Sequence, residues 1–414
     1  MRFPRLFAAF LTVLTAIGGL GTARAEATDT RTGLAADEAI ALETKIGQMI
    51  LVGFLGNRPG HSGFKRVLAQ MEAGQIGGVL YLGRNLKDRD TVRQMNAALS
   101  EAAASNTPPL IAIDQEGGIV QRLKRHHGFP QTVSAKRMAR RSSPDEAQVA
   151  YGVLAEGLAD WGFTLNLGPV VDVDVNRRNP IIGRLGRSYS RDPGKVAEFG
   201  AAFVEAHRGH RVLTALKHFP GHGSSRRDSH KGAVDVSRTW SDKELIPFQQ
   251  LIDAGKVDLI MTAHVINRGL QGKGKKRVPV SLSETALTGT LRGDLGFTGV
   301  IITDDLQMDA IRRTYSLETA VLRAVKAGTD ILLFANDKRP DPEIPSKVAK
   351  ILLDAAKDDP QLVNKINAAY ERIVTLKDGL VKPAFQGPST VQEIETWLSG
   401  RAPDPDNCTL SVVQ

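Results

Sequence analysis

Eight short apolar runs, rich in β-branched residues, recur along the chain between longer stretches with helical periodicity. Each run is predominantly apolar and indicates a buried strand instead of an alternating one, as expected for a strand covered on both faces in a parallel sheet. Eight strand–helix units predict an α/β fold, a (β/α)8 TIM barrel, because closure of that barrel requires eight strands. A doubly wound open sheet is the alternative. The runs are Met49–Phe54, Gly78–Leu82, Leu110–Ile113, Thr164–Val171, Leu213–Leu216, Leu259–Thr262, Val300–Thr303 and Ile331–Phe334.

The intervening stretches carry helix start and stop signals. Ser241 and Glu244 have the spacing of a capping box ahead of an apolar helical segment. Ser283 predicts the start of another helix, which Gly293 or Gly296 would end. Helices therefore alternate with strands, as the barrel requires.

Ionisable residues follow one predicted strand after another. The carboxyl ends of barrel strands meet on one face, where barrel enzymes build their active sites. The pattern therefore predicts an active site on that face, independently of any family. The residues are Asp114 after the third strand, Asp172 after the fourth, Lys217 and His218 after the fifth, His264 after the sixth and Asp304 after the seventh.

The N-terminus resembles an export signal. Arg2 and Arg5 precede residues 6–20, which are uncharged and mostly apolar, and residues 23–25 (Ala-Arg-Ala) offer small side chains for cleavage. The apolar run is too short to span a bilayer comfortably. We therefore predict a signal peptide over residues 1–25 and a periplasmic or secreted protein without stable membrane insertion after cleavage.

The formal net charge of +9 falls to +6 without residues 1–25, which contain three Arg and no acidic residue. A positive field can attract anionic cell-envelope polymers, although general surface basicity is the simpler interpretation. We find no arginine-rich helix or aromatic-interleaved basic patch, so no nucleic-acid partner is expected. Cys408 is the only cysteine, which excludes an internal disulfide.

Proline residues become frequent beyond Lys382. We therefore predict one catalytic domain over residues 26–382 and a short C-terminal tail over residues 383–414. Within that tail, Ser389 and Gln392 predict one short helix. A monomer is expected.

Two adjacent aspartates, Asp304 and Asp305, end the seventh predicted strand. Because side chains alternate along a strand, only one of them points with Ile302 into the barrel mouth. A carboxylate in that position can attack an anomeric carbon. The alternative role is to cap the next helix, which suits Asp305.

A glycine- and proline-rich segment, Lys217–Gly223, joins the fifth strand to a loop that carries Asp228 and His230. Asp228 can hold the imidazole in one tautomer, and a histidine suits general acid/base catalysis near neutral pH. The alternatives are an incidental surface histidine and a metal site. The spacing of His218 and His222 suits a metal only on a helix, which the intervening Pro-Gly pair excludes.

The segment Asp114–Gly118, followed by Arg122, forms another strand-end loop. A carboxylate there can accept hydrogen bonds from two sugar hydroxyls, while Arg122 pairs with it or with substrate. Arg187 lies in the loop after the fourth strand, where a structural ion pair is the alternative.

These motifs together resemble those of bacterial β-N-acetylglucosaminidases of glycoside hydrolase family 3, in family order from about Gln48 to Asp337. The resemblance implies that Asp304 is the nucleophile and that His230 is the acid/base, oriented by Asp228. It also implies that no metal or organic cofactor is needed. The residues that would hold the terminal sugar are Asp114, Arg122, Arg187, Lys217 and His218. The motifs that carry the resemblance are Lys217–Gly223, Asp228–His230, Asp114–Gly118 with Arg122, Arg187–Tyr189, and Thr303–Leu306 with Met308.

The implied function is retaining hydrolysis of terminal non-reducing β-linked N-acetylhexosamine from cell-wall or chitin-type oligosaccharides through a covalent glycosyl-Asp intermediate. Three alternatives remain open. They are a family 3 β-glucosidase, a glycosidic phosphorylase and a non-catalytic periplasmic glycan-binding protein.

Overall fold

Eight parallel strands form a closed ring in the computed structural model, which describes residues 40–103, 107–271 and 277–381. Each strand from β1 to β6 pairs with the next along the chain, and β8 pairs with β1. A parallel bridge between Ile302 of β7 and Ile331, the residue just before β8, closes the ring. The predicted (β/α)8 barrel is therefore confirmed and the open sheet is excluded. The strands are β1 Ile50–Gly53, β2 Gly78–Tyr81, β3 Leu110–Ile113, β4 Leu165–Asn166, β5 Leu213–Phe219, β6 Leu259–Thr262, β7 Val300–Thr303 and β8 Leu332–Phe334.

Two strands differ in length from the apolar runs that predict them. The run over residues 164–171 yields only the two residues of β4, because the chain turns after Asn166, whose carbonyl accepts the N–H of Gly168 at 2.9 Å. By contrast, β5 continues through Phe219, so Lys217 lies within the strand and not after it. Lys217 still pairs through an isolated bridge with Val170, beyond the end of β4.

Helices surround the ring, and their apolar faces cover the outer sides of the strands. The first turn of α5 shows how local sequence sets these elements, since Ser143 and Glu146 form a capping box around Pro144. The helices are α1 Leu42–Gln48, α2 Ser62–Glu72, α3 Arg89–Ala102, α4 Ala135–Arg141, α5 Pro144–Asp160, α6 Pro193–Gly209, α7 Ile246–Asp253, α8 Asp309–Arg312, α9 Leu317–Ala327, α10 Ile344–Ala356 and α11 Pro360–Val381.

The helix predicted after Ser283 is a π-helix over Thr285–Asp294. The Ser283 hydroxyl accepts the N–H of Ala286 at 3.4 Å. Gly296, with φ of +69°, follows the helix end, in agreement with the second of its two predicted stops.

Helix α4 corrects one sequence-based expectation. Four of its seven residues are basic: Lys136, Arg137, Arg140 and Arg141. Ser134 is the N-cap of the helix, and its side chain accepts the N–H of Arg137. So short a helix has little apolar periodicity by which the sequence could reveal it. An arginine-rich helix does exist on this protein.

Several predictions concern residues outside the described part of the chain. These are the signal peptide over residues 1–25, the tail over residues 383–414 with its short helix, and Cys408. Within the described residues, no helix combines the length and apolarity needed to span a bilayer.

Candidate active site

A cavity of about 280 Å³ opens at the carboxyl end of the strands. Its floor is apolar, with Leu80 of β2, Met261 of β6 and Leu333 of β8 facing inwards. Side-chain layers contributed by alternate strands are typical of barrel interiors. Seven of the eight predicted site residues line the cavity, all except Asp228. The full set of ionisable lining residues is Asp114, Glu116, Arg122, Arg187, Lys217, His218, His230, Asp304, Asp305 and Asp337.

Two carboxylates and three cations form a continuous network on one wall of this cavity. Lys217 Nζ lies 2.9 Å from Asp114 Oδ1 and 2.7 Å from Glu116 Oε1. Arg122 pairs with the other oxygen of Asp114 at 3.0 Å, and Arg187 binds Glu116 through bonds of 2.8 and 2.7 Å. Burial raises the pKa of Asp114 and of Glu116, but the adjacent cations outweigh it and hold both below their usual values. Both carboxylates are therefore ionised at neutral pH.

The network divides the predicted sugar-binding residues into two groups. Arg187 donates three of its five N–H groups to Glu116 and to the carbonyl of Ile181, and so forms the structural ion pair that was the alternative for it. Each oxygen of Asp114 receives one hydrogen bond and has capacity for another. The Nε–H of Arg122 has no acceptor among the described residues. Asp114 and Arg122 therefore have free hydrogen-bonding capacity for sugar hydroxyls.

Asp304 stands directly after β7 and reaches the cavity. Its Oδ1 accepts the backbone N–H of Asp305 at 2.8 Å. Burial alone would raise the pKa of Asp304, but His264, His218 and His230 outweigh it and hold the pKa below its usual value. The carboxylate is therefore ionised at neutral pH, as a nucleophile must be.

The neighbouring Asp305 does not cap a helix, so that alternative role is wrong. Helix α8 begins only at Asp309, with Met308 as its N-cap, because a turn intervenes. The Asp305 Oδ1 instead accepts the N–H groups of Gln307 and Ala335, each at 3.0 Å. Burial raises the pKa of Asp305 to about 6. Its role is to tie the loop after β7 to the end of β8.

His230 lies on the long loop after β5, with 55% of its side chain exposed. Its Nδ1 is 2.8 Å from Oδ1 of Asp228, and the same oxygen accepts the His230 backbone N–H at 2.9 Å. Burial raises the pKa of Asp228, but hydrogen bonds from His230 outweigh it and the pKa lies below its usual value. An ionised partner on Nδ1 fixes the tautomer and leaves Nε2 free to exchange a proton with substrate.

His218 is buried and paired with Asp172, with 2.6 Å between Nδ1 and Oδ2. The other oxygen of Asp172 accepts the backbone N–H groups of His218 and His222. His222 turns its Nε2 towards the hydroxyl of Ser229 at 3.2 Å. These contacts hold the start of the loop that carries His230. Within residues 40–103, 107–271 and 277–381, no three His, Cys, Asp or Glu side chains converge as metal ligands.

Glu244 anchors the loop that carries His230 and does not form the predicted capping box. No side-chain hydrogen bond from Ser241 caps the helix there. Glu244 is fully buried, and its Oε2 accepts the N–H groups of Gly223 at 2.9 Å and of Ser224 at 3.2 Å. Water can satisfy the exposed helix start, whereas these buried loop N–H groups require a protein acceptor. The Glu244 carboxylate therefore accepts hydrogen bonds from the loop, and its burial there raises the pKa of Glu244 to about 7.

We expect Glu244→Gln to stabilise the protein at pH 8 but much less at pH 5. The folded-state pKa of about 7 exceeds the ordinary value of 4.5, so folding favours the protonated acid. That stabilisation is complete below the unfolded-state pKa and is lost as the pH rises through about 7, whereas glutamine keeps the acceptor without ionising. The gain should be on the order of 1–3 kcal/mol, measured by urea unfolding at both pH values.

Glu72→Gln, an exposed change near the end of α2, is the matched control and should show no such pH dependence. Parallel pH profiles for the wild type and Glu244→Gln would contradict this account of the loop anchor.

With the geometry established, comparison with known proteins decides the family. Residues 41–376 match the model of the glycosyl hydrolase family 3 N-terminal domain. The chain belongs to glycosyl hydrolase family 3. It is a glycosidase, and the motifs that suggested this family lie around the cavity.

The relatives of this family 3 glycosidase include a β-hexosaminidase from Tolumonas auensis. The two are 36% identical over 266 residues, covering 64% of this chain and 76% of the relative. The structure of a family 3 β-N-acetylglucosaminidase from a Paenibacillus strain matches with a TM-score of 0.75 and 31% identity, covering 86% of this chain and 67% of the other. A β-N-acetylhexosaminidase from Beutenbergia cavernae matches with a TM-score of 0.73 and 29% identity, covering 82% and 99%.

Three residues received no individual role in the family 3 site from the sequence: Glu116, Asp172 and Glu244. Glu116 lies two positions after Asp114 and Asp172 follows the fourth predicted strand, so position alone pointed to both. Glu244 gave no such signal, because its spacing from Ser241 imitates a capping box. Each of the three accepts hydrogen bonds that fix a neighbouring part of the site.

Proposed function

We propose that this protein is a retaining β-N-acetylhexosaminidase that removes terminal non-reducing N-acetylhexosamine. The observation that carries the proposal is one cavity containing an ionised Asp304 and a His230 held through Nδ1 by Asp228. The names of the relatives from Tolumonas auensis and Paenibacillus support the choice of sugar. Small-molecule sites have volumes from roughly 300 Å³ upwards. The cavity, at about 280 Å³, lies near this lower limit, which suits a single sugar unit.

In the first step, an oxygen of Asp304 attacks the anomeric carbon while His230 gives its Nε2 proton to the glycosidic oxygen. The bond to the aglycone breaks, the aglycone leaves as an alcohol, and the sugar remains as an ester of Asp304. Asp114 and Arg122 hold the sugar hydroxyls with their free hydrogen-bonding capacity, beside Lys217.

In the second step, the neutral His230 takes a proton from water, and the water oxygen attacks the anomeric carbon. The ester bond breaks, which regenerates the Asp304 carboxylate and a protonated His230. Two inversions at one carbon leave the product with the β configuration of the substrate.

We further propose cell-wall or chitin-type oligosaccharides as substrates, met in the periplasm or outside the cell. Support for this location comes from the signal-like residues 1–25, with their basic start, apolar run and small-residue cleavage site.

Hydrolysis of 4-nitrophenyl N-acetyl-β-glucosaminide should exceed that of the matching β-glucoside by at least about 100-fold in kcat/KM. The assay uses the chain from residue 26 onwards, with and without EDTA and with and without phosphate. Free N-acetylglucosamine is the expected product, and EDTA should not change the rate at which it forms. Preference for the glucoside would overturn the sugar assignment, and formation of sugar 1-phosphate would identify a phosphorylase.

A further inference from the structure

The positive charge of this protein is concentrated in two segments. Residues 122–141 and 175–191 contain twelve Lys and Arg residues and no Asp or Glu. They therefore carry a formal charge of +12, whereas the whole chain carries +9. The rest of the molecule is slightly acidic, so the basicity is not a general property of the surface.

The two segments follow β3 and β4 and meet at the mouth of the barrel. The N–H of Lys136 donates to the carbonyl of Gly186 at 3.1 Å, and Lys136 Nζ lies 3.4 Å from Asp174, just before the second segment. A depression of about 540 Å³ opens on α4 beside this contact. Its charged lining, here named the basic rim, consists of Lys136, Arg137, Arg140 and Arg141.

The guanidinium groups of the basic rim lack partners among the residues that the structure describes. Arg137, Arg140 and Arg141 are exposed and share one face of α4, at the i, i+3 and i+4 spacing that brings side chains together. None of the three pairs with a carboxylate of the described residues. Like charges at this spacing repel one another, and an anion bound between them removes that repulsion.

The basic rim is continuous with the active-site cavity. Gly186, which contacts Lys136, lies between Leu185 and Arg187, and both of these line the cavity. Arg184, also exposed, precedes them on the same loop. A polymer whose terminal sugar occupies the cavity therefore has a positively charged surface beside it.

We propose that the basic rim binds a polyanionic glycan, so that the enzyme engages carboxylate- or phosphate-bearing chains beside the sugar it cleaves. This inference rests on the proposed function for the adjoining cavity. A nucleic acid would favour exposed aromatic side chains for stacking, but Phe129 and Tyr189 in these segments are 2% and 4% exposed. A bilayer surface would favour an apolar face, whereas Ile119 and Val175 are single exposed aliphatic residues.

The test is direct binding of the full chain at low salt, measured by sedimentation or interferometry. The probes are polygalacturonate, poly(glycerol phosphate) and neutral dextran, with duplex DNA and phosphatidylglycerol vesicles as competitors. The rim variant is Arg137→Gln/Arg140→Gln/Arg141→Gln. The control variant, Lys65→Gln/Arg211→Gln/Arg323→Gln, removes three exposed positive charges elsewhere on the barrel.

One or both anionic glycans should bind and dextran should not. The rim variant should lose at least about tenfold in affinity, and its log–log salt dependence should become shallower by roughly one unit per removed charge. The control variant should bind like the wild type. If only one of the two anionic glycans binds, the result shows whether the basic rim recognises carboxylate or phosphate groups.

Equal loss in both variants, or no glycan binding at low salt, would overturn the proposal. Rim-dependent preference for DNA or for vesicles would overturn the glycan assignment. Hydrolysis of the neutral 4-nitrophenyl N-acetyl-β-glucosaminide is measured alongside in both variants and is expected to be unchanged. That assay reports on the proposed function separately, because a small neutral substrate does not reach the rim.

Discussion

Asparagine in place of Asp304 is expected to reduce kcat by on the order of 10⁴-fold or more, as removal of a covalent nucleophile does. The ionised carboxylate is the group that forms the ester, and an amide in its place is a far weaker nucleophile. The fold should persist, because the asparagine carbonyl can still accept the N–H of Asp305. Initial rates with the 4-nitrophenyl substrate, together with calorimetric binding of N-acetylglucosamine, check the loss of turnover against retained binding.

Asp305→Asn is the matched control for this experiment. It changes the adjacent carboxylate, whose hydrogen bonds to Gln307 and Ala335 an asparagine oxygen can preserve. Its activity should fall far less than that of Asp304→Asn. Added azide should restore turnover to Asp304→Asn and give the α-glycosyl azide, because the small anion attacks from the face that the carboxylate served. A normal rate for Asp304→Asn without azide would rule out the assignment.

Replacing His230 with alanine should produce the second largest effect, and its size should depend on the leaving group. For an alkyl or oligosaccharide aglycone, which needs protonation to depart, kcat/KM should fall by about 10²- to 10⁴-fold. For 2,4-dinitrophenolate, which leaves without a proton, the loss in kcat/KM should be less than about tenfold. A series of aryl and alkyl N-acetylglucosaminides measures this dependence.

His126→Ala provides the comparison, because His126 is an exposed histidine outside the cavity lining and should be neutral to activity. Asp228→Asn should give a milder version of the His230→Ala profile, since it removes the ionised partner of Nδ1 but not the ring. An equal loss across good and poor leaving groups in His230→Ala would count against its role as the acid.

The barrel was predictable because its strands are chemically distinct from everything around them. Runs such as Val300–Thr303 and Leu259–Thr262 are apolar up to a closing threonine, and the structure reproduces both of them residue for residue. The fourth run was not reproduced, because composition alone cannot show that the chain turns after Asn166, whose carbonyl accepts the N–H of Gly168. Apolar runs thus indicate which segments are buried, whereas the ends of strands depend on individual backbone donors.

The site was predictable where position on the barrel determines the role. Asp114 and Asp304 follow strands, and that placement brings them to one cavity from positions far apart in sequence. The loop anchor Glu244 was not predictable, because the need for an acceptor arises only once Gly223 is buried. The basic rim was not predictable for a related reason, because its continuity with the cavity is created by tertiary contacts.

Trapping an ester of Asp304 is the most direct test of whether catalysis passes through that intermediate. The fluorine of a 5-fluoro-N-acetylglucosaminyl donor slows both steps, whereas a dinitrophenyl leaving group speeds the first. The intermediate therefore accumulates and can be measured by intact-protein and peptide mass spectrometry. We predict a single added fluoro-N-acetylhexosaminyl group on the peptide containing Asp304, absent from Asp304→Asn and lost on incubation without donor. A stable adduct on another residue, or turnover of the donor with no adduct and an inverted product, would contradict the account.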